Sequence, residues 1–272
     1  MPRKRYLWKL RDRPVPLGER TLLVGVLHVT GELEPDRAFA RAVEMEEQGA
    51  DLIDVSAASF RAGVRRPSPE DELARLERVL KRLRGKLAIP VSVATAHASV
   101  AGRAIELGAE VINDPTGLTM DPNMAKLAAS CRCGLIVNHM RAMPEVWSKL
   151  GPSRDIIRMV LDDLKASLLR ARRADVESEQ IVLDPGLGFG KRPEENAEIL
   201  ARMQDLSELG RPILVGPSGK SLPGVGAGAG VPTSAATVTA AILAGAHLVR
   251  VHQVMEMVEA ARTADSIAAN YP

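Results

Sequence analysis

Hydrophobic and polar positions alternate along the chain in two rhythms. Short unbroken apolar runs at residues 21–29, 51–55, 90–93, 110–112, 135–137, 181–183, 212–215 and 247–251 read as strands buried on both faces. Between them apolar residues recur at helical spacing over 35–48, 69–83, 97–107, 121–129, 154–173, 194–209, 233–243 and 255–268. In the second of these, Leu73, Leu76, Val79, Leu80 and Leu83 share one face. Pro35-Asp36 and Asp121-Pro122 supply start signals, and Gly49 and Gly108 supply stops. Eight strand-helix units in one chain predict an α/β fold, a single-domain TIM (β/α)8 barrel. An open doubly wound sheet is the runner-up, disfavoured because no G-x-G-x-x-G follows the first strand.

The barrel is expected over residues 21–272, after an N-terminal extension at 1–20 whose stretch 6–17, with Pro14 and Pro16, reads as a small extended lid. Residues 217–232 are Gly- and Pro-rich and predict a loop.

Composition narrows the picture. The 272 residues suit one barrel, and a hydrophobic content of 46% with only 3% aromatic calls for an aliphatic core of the kind parallel strands build. A net charge of +2, from 36 basic and 34 acidic residues, gives no field for nucleic acid or an anionic membrane surface. Cys131 and Cys133 are too few for a disulfide scaffold or a zinc site. With no signal-peptide segment and no apolar run of membrane-spanning length, the expectation is a soluble cytoplasmic protein.

Candidate chemistry centres on Ile181 and the ten residues after it, I-V-L-D-P-G-L-G-F-G-K, where a buried strand ends on Asp184 before a loop with three glycines. In a parallel barrel that end faces the ligand, and glycines allow a sharp turn and a close approach to a flat guest. An isolated D-P-G is also an ordinary turn. The other strand ends bring His28, Ser56, Ala94, Asn113, His139, Ser218 to Ser221, Arg250 and His252 to the same rim. An amide, a carboxylate, an ammonium and a guanidinium thus converge from four strands, suited to a polar heteroaromatic ring and an anion. Residues 216–221 imitate a phosphate-binding loop, but the first glycine of that motif is Leu214 here. His139 and His252 could be metal ligands, yet no H-x-x-x-H or carboxylate pair accompanies them, so hydrogen-bonded rim histidines are the better reading.

These segments, Gly25 to Thr30, Ile112 to Asp114, His139-Met140, Leu183 to Lys191, Ser218 to Ser221 and Arg250 to His252, resemble in order and spacing those of dihydropteroate synthase, the folate-pathway pterin-binding barrel. The resemblance runs from about Thr21 to the C-terminus, and D-P-G-L-G-F-G-K is its most specific part. It implies condensation of 6-hydroxymethyl-7,8-dihydropterin pyrophosphate with p-aminobenzoate, pyrophosphate release assisted by Mg2+, and a homodimer. It places Asn113 and Asp184 on the pterin, Lys220 near the pterin and the amine, Ser221 near the benzoate carboxylate, and Arg250 and His252 in the pyrophosphate pocket. Lys220, Arg250 and His252 are the implied catalytic set, while Arg61 and His139 join the substrate-binding one.

Departures accompany it. The family's N-V-T-P-D-S-F-S-D-G-G is shortened after Thr30, and His28 replaces the Mg2+-associated asparagine, so no metal ligand is assigned. The second loop, G-G-E-S-T-R-P-G in the family, keeps only Ser59, Arg61 and Gly63. S-V-D-T has become Ser92-Val93-Ala94-Thr95, and S-R-K-S has become Ser218-Gly219-Lys220-Ser221. These changes predict weakened synthase activity, with a pterin-binding homologue that has lost the reaction as the alternative. A methyltetrahydrofolate-binding methyltransferase, sharing the barrel, is a third option that the Lys220-Ser221 and Arg250-Val251-His252 segments oppose.

Overall fold

A computed structural model describes residues 3–29, 34–60, 63–64, 66–216, 222–225 and 230–270 of the chain. Two short strands open it, β1 (Tyr6–Lys9) and β2 (Pro14–Leu17), paired antiparallel with Tyr6 opposite Leu17. Eight parallel strands follow: β3 (Leu22–His28), β4 (Leu52–Ser56), β5 (Val91–Ala94), β6 (Val111–Asp114), β7 (Gly134–Asn138), β8 (Ile181–Asp184), β9 (Leu214–Val215) and β10 (Leu248–Val251). They are hydrogen-bonded in the order β8-β7-β6-β5-β4-β3-β10-β9. The ends of that order meet where Leu183 bridges Ile213 and the Leu183 N–H donates to the Pro212 carbonyl at 2.9 Å. The sheet thereby closes on itself as the expected TIM barrel.

Among the described residues eight α-helices surround it: α1 (Pro35–Glu47), α2 (Pro69–Leu83), α3 (Ala98–Glu106), α4 (Met124–Cys131), α5 (Ile156–Arg173), α6 (Pro193–Ala201), α7 (Val231–Leu243) and α8 (Val254–Ala269). Local chemistry fixes several ends. The Ser68 hydroxyl caps α2 by accepting from the Asp71 N–H, Pro69 takes the first turn, and acids at its start and Lys81-Arg82 at its end both suit the helix dipole. Asp155 caps α5 in the same way, and Arg170, Arg172 and Arg173 close it. One expected helix is divided. Residues 194–209 form α6 and then a 3-10 segment at Met203–Leu209. Leu200, Met203, Leu206 and Leu209 are all buried and recur every third residue, the period of a 3-10 helix rather than an α-helix.

Alternation along the strands divides the interior. Outward residues such as Ile53, Val55, Val93, Leu135 and Leu183 pack under the helices, where Gly25 lets α1 approach so closely that a Cβ would lie 2.9 Å from Met45 Sδ. Inward residues nearer the strand starts, among them Leu22, Leu52, Ile136, Val182, Leu214 and Leu248, form a second apolar cluster with Trp8, Leu10 and Leu17. The stretch expected as an extended lid is therefore a hairpin that stoppers the base of the barrel. Trp8 Nε1 donates to the Gln180 carbonyl at 2.8 Å, just before β8. Gly134 opens β7 without a side chain because a Cβ there would stand 2.6 Å from Leu10 and 3.2 Å from Trp8. No helix among the described residues is long and apolar enough to cross a membrane.

Trp8→Ala should leave a void in this basal cluster and lower unfolding stability by about 3–5 kcal/mol in urea titration. A loss below about 1 kcal/mol would mean that the hairpin merely lies on the surface.

Candidate active site

Above the apolar floor the inward positions turn polar. Asp54 on β4, Asn113 on β6, Asp184 on β8 and Arg250 on β10 all point toward the barrel axis, and the three acceptor residues are buried. Asn113 Nδ2 donates to Asp54 Oδ2 at 2.8 Å. The Gly186 N–H donates to Asp184 Oδ1 at 2.7 Å. Asp184 Oδ2 lies 2.9 Å from Arg250 Nη2, a charge contact without hydrogen-bond alignment. Gly216, where β9 ends, leaves room for that guanidinium, since a Cβ would come within 2.9 Å of Nη2.

Electrostatics couples the group. Burial raises the Asp54 carboxyl above its ordinary range and the nearby Asp184 charge adds to this, while Arg250, Ser92 and Asn113 pull it down. Asp54 Oδ1, Asn113 Oδ1 and Asp184 Oδ2 accept no well-aligned hydrogen bond among the described residues, although Ser92 stands beside Asp54 and the Arg250 guanidinium beside Asp184. Unmatched buried acceptors are expensive. Three in one cluster fit a guest rich in N–H donors.

The loop after Asp184 is held mainly by the protein itself. Gly186 sits at φ +67°, and a Cβ on it would fall 1.9 Å from the His139 carbonyl oxygen. Gly190, at φ +75°, has Trp147 Nε1 at 3.0 Å from its Cβ position. The glycines therefore answer to close approach by neighbouring chain, where the sequence suggested a flat guest. Lys191 Nζ donates to the Gly186 carbonyl at 2.6 Å and the His139 carbonyl at 3.1 Å.

His139 is not brought to the axis. Asn138 points inward at that level, and the His139 ring turns outward toward α5, its Nε2 lying 2.9 Å from Asp163 Oδ2. Burial, helped by the Lys191 charge and opposed by Asp163, pushes the imidazole down to about 4. It is neutral at pH 7, so Nε2 carries the proton given to the carboxylate. A cavity of about 270 Å³ lies beside this pair, lined by Thr116, Gly117, Met140, Arg141, Asp163 and Arg170 among others. Of the inward-pointing residues Asn138 lines it, whereas Asp54, Asn113, Asp184 and Arg250 do not. Asp114, next to Asn113, also faces away, accepting from the Thr116 and Leu118 N–H groups to fix its own loop.

On the rim, the His28 and His252 rings lie 5.5 Å apart between centroids. Lys220, Ser221 and Arg61 fall outside the described residues, as do residues 30–33. Mg2+ prefers oxygen ligands in octahedral array. His28 offers nitrogen, and the described residues contain no group of three His, Cys, Asp or Glu side chains able to hold a metal. The described residues alone therefore form no all-protein Mg2+ cage, and a Mg2+ shared with a substrate's phosphates would need fewer protein ligands.

Sequence reasoning missed Asp54 and Asn138. The signal for Asp54 was present: an acid inside the apolar run Leu52-Ile53-Asp54-Val55 is as costly as the one that singled out Asp184. Ser56 ends β4 at the rim, whereas the axial layer begins two positions earlier, at Asp54.

Residues 29–252 match the family described as pterin binding enzyme. The chain is 36% identical to the dihydropteroate synthase of Clostridium beijerinckii, over 95% of this chain and 98% of that protein. Among solved structures it is similar to dihydropteroate synthase from Clostridium difficile, determined in the presence of pteroic acid (TM-score 0.85, 37% identity, 92% of this chain and 98% of that one). It is similar also to the Thermus thermophilus enzyme in complex with 4-aminobenzoate (TM-score 0.82, 36% identity, 96% and 99% covered).

Gly186→Ala should destabilise the protein by more than the ~1–2 kcal/mol of a left-handed alanine alone, because its Cβ meets a carbonyl. Gly210→Ala, at φ +62° with nothing near its Cβ position, is the matched control. Equal urea midpoints for the two variants would refute the close approach at Gly186.

Proposed function

Because the chain belongs to the dihydropteroate synthase family of pterin-binding enzymes, we propose that its barrel mouth joins 6-hydroxymethyl-7,8-dihydropterin pyrophosphate to p-aminobenzoate. The observation that carries this is the trio of buried acceptors, Asp54 Oδ1, Asn113 Oδ1 and Asp184 Oδ2, gathered around one axis over an apolar floor. A pterin edge presents adjacent N–H donors that can pair with a carboxylate as a guanidinium does, and its flat ring suits the aliphatic layer beneath.

The methylene–oxygen bond breaks, pyrophosphate leaves with the electron pair, and the amine nitrogen bonds to the methylene carbon and gives up a proton. Asp184, Asn113 and Asp54 hold the ring still while this occurs. Arg250 is oriented by Asp184 and supplies positive charge beside the axis, where it opposes the negative charge that grows on the leaving group. His252, at the end of the same strand, stands next along the departing anion's route. The resemblance assigns Lys220 to the pterin and the incoming amine, Ser221 to the benzoate carboxylate and Arg61 to substrate binding, all three outside the described residues. Residues 21–272 form the working unit, with 1–20 as its extension.

Similarity over nearly the full length of known synthases supports the active reading, and nothing among the relatives supports an inactive homologue. The changes at His28 and Ala94 then tune the site. Ala94 pairs in register with Asn113, so the family aspartate is missing beside an amide that now serves Asp54. We further propose a cytoplasmic homodimer, for which the exposed Leu243 and Met255 on α7 and α8 offer apolar surface.

A pyrophosphate-release assay should show release that requires both the pterin pyrophosphate and p-aminobenzoate. Pterin binding without turnover would return the inactive alternative, and absence of pterin binding would leave the fold alone. Asp184→Asn should weaken pterin affinity by about one to two powers of ten, the worth of a charge-assisted hydrogen bond. Ala94→Asp should strengthen it, and an unchanged titration would show that the ring does not reach β5.

A further inference from the structure

We propose that Lys191 is a positioning residue of the pterin site, whose buried ammonium bridges the Gly186 and His139 carbonyls and so fixes the Asp184 carboxylate toward the barrel axis. The inference rests on the pterin reading above.

Both arms of the bridge end on Asp184. On one side Lys191 Nζ holds the Gly186 carbonyl at 2.6 Å, and the Gly186 N–H holds Asp184 Oδ1 at 2.7 Å. On the other, Nζ holds the His139 carbonyl at 3.1 Å, and the His139 N–H donates to the Asp184 carbonyl oxygen at 2.8 Å. The side chain and the main chain of the acid are thus steadied by one cation that lies outside the axial cluster. Lys191 is only 8% exposed. An ammonium in such a place is costly, and a methionine would fill similar space without that cost. What the methionine would lack is donors for two carbonyls brought together by the tight turn at Gly186. The turn needs the ammonium, and Asp184 needs the turn.

The same burial makes the device sensitive to pH. Asp184 from β8, Glu195 from α6 and Asp163 from α5 favour the charged lysine, while Arg141 from the chain after β7 opposes it and His139 contributes a neutral ring. Burial outweighs these and pushes the ammonium down to about 7. Below that pH the bridge carries its full charge. Above it the amine bonds its carbonyls more weakly and no longer supports the charge on Asp184. Pterin affinity therefore falls as pH rises through neutrality.

Calorimetric titration with 6-hydroxymethylpterin from pH 6 to 9 tests this on the parent chain, Lys191→Met and Lys191→Arg, with circular dichroism to verify folding. The parent should bind about tenfold more tightly at pH 6 than at pH 9, the difference between a charged and a neutral hydrogen bond. Lys191→Met should lose about that factor at pH 6 and show no remaining decline beyond the ligand's own titration, which is common to all three proteins. Lys191→Arg, charged throughout, should keep a flat profile after the same correction. A methionine variant with the parent's affinity and pH profile overturns the role of Lys191 while leaving the pterin reading intact. If that variant does not fold, an arginine variant with the parent's decline overturns it equally. Failure of the parent to bind the pterin at any pH overturns both.

Discussion

A carboxylate with no exposure to water has to be matched from within, and Asp184 is that carboxylate. Its partners come from three directions: a main-chain N–H from its own loop, a guanidinium from β10, and the ladder that joins β8 to β7. Each partner is in turn placed by something else. Gly186 can turn only because it lacks a side chain, and Arg250 lies flat only because Gly216 lacks one. The acid is therefore oriented before any ligand arrives, in surroundings where its interactions are strong and require little reorganisation.

Much of this arrangement was legible in the chain. Eight apolar runs separated by helical patterns give a closed parallel barrel, and an acid ending the sixth run marks the mouth. What was lost was phase. Strand residues alternate between axis and helices, so Asn113 and Asp114 cannot both serve a ligand, nor can Asn138 and His139. In each pair the structure turns the first inward, and the second anchors a loop or pairs with α5. Listing strand-end residues without their phase gave His139 the same weight as the axial residues and left Asp54 out. The hairpin was obscured differently. Burial alternates from Tyr6 to Leu10, but the residues themselves, Y-L-W-K-L, are apolar at four of five positions, and Pro14 and Pro16 speak against a paired partner.

Floor and mouth also divide the tasks of stability and chemistry between levels of the same strands. In β4, Leu52 belongs to the base and Asp54 to the axis; in β8 the same step separates Val182 from Asp184. Two residues of strand, roughly 6.6 Å, carry the barrel from an aliphatic layer to a charged one. Substitutions that distinguish this chain from the family pattern, at His28 and Ala94, lie at or above the charged layer. The aliphatic layer and the axial Asp54, Asn113, Asp184 and Arg250 are in place beneath the altered loops.

Closure of the base by Trp8 and Leu10 has a kinetic corollary. With the base filled among the described residues, reactants and products of the proposed reaction pass by way of the mouth, and a molecule seated on the aliphatic layer departs after whatever lies above it.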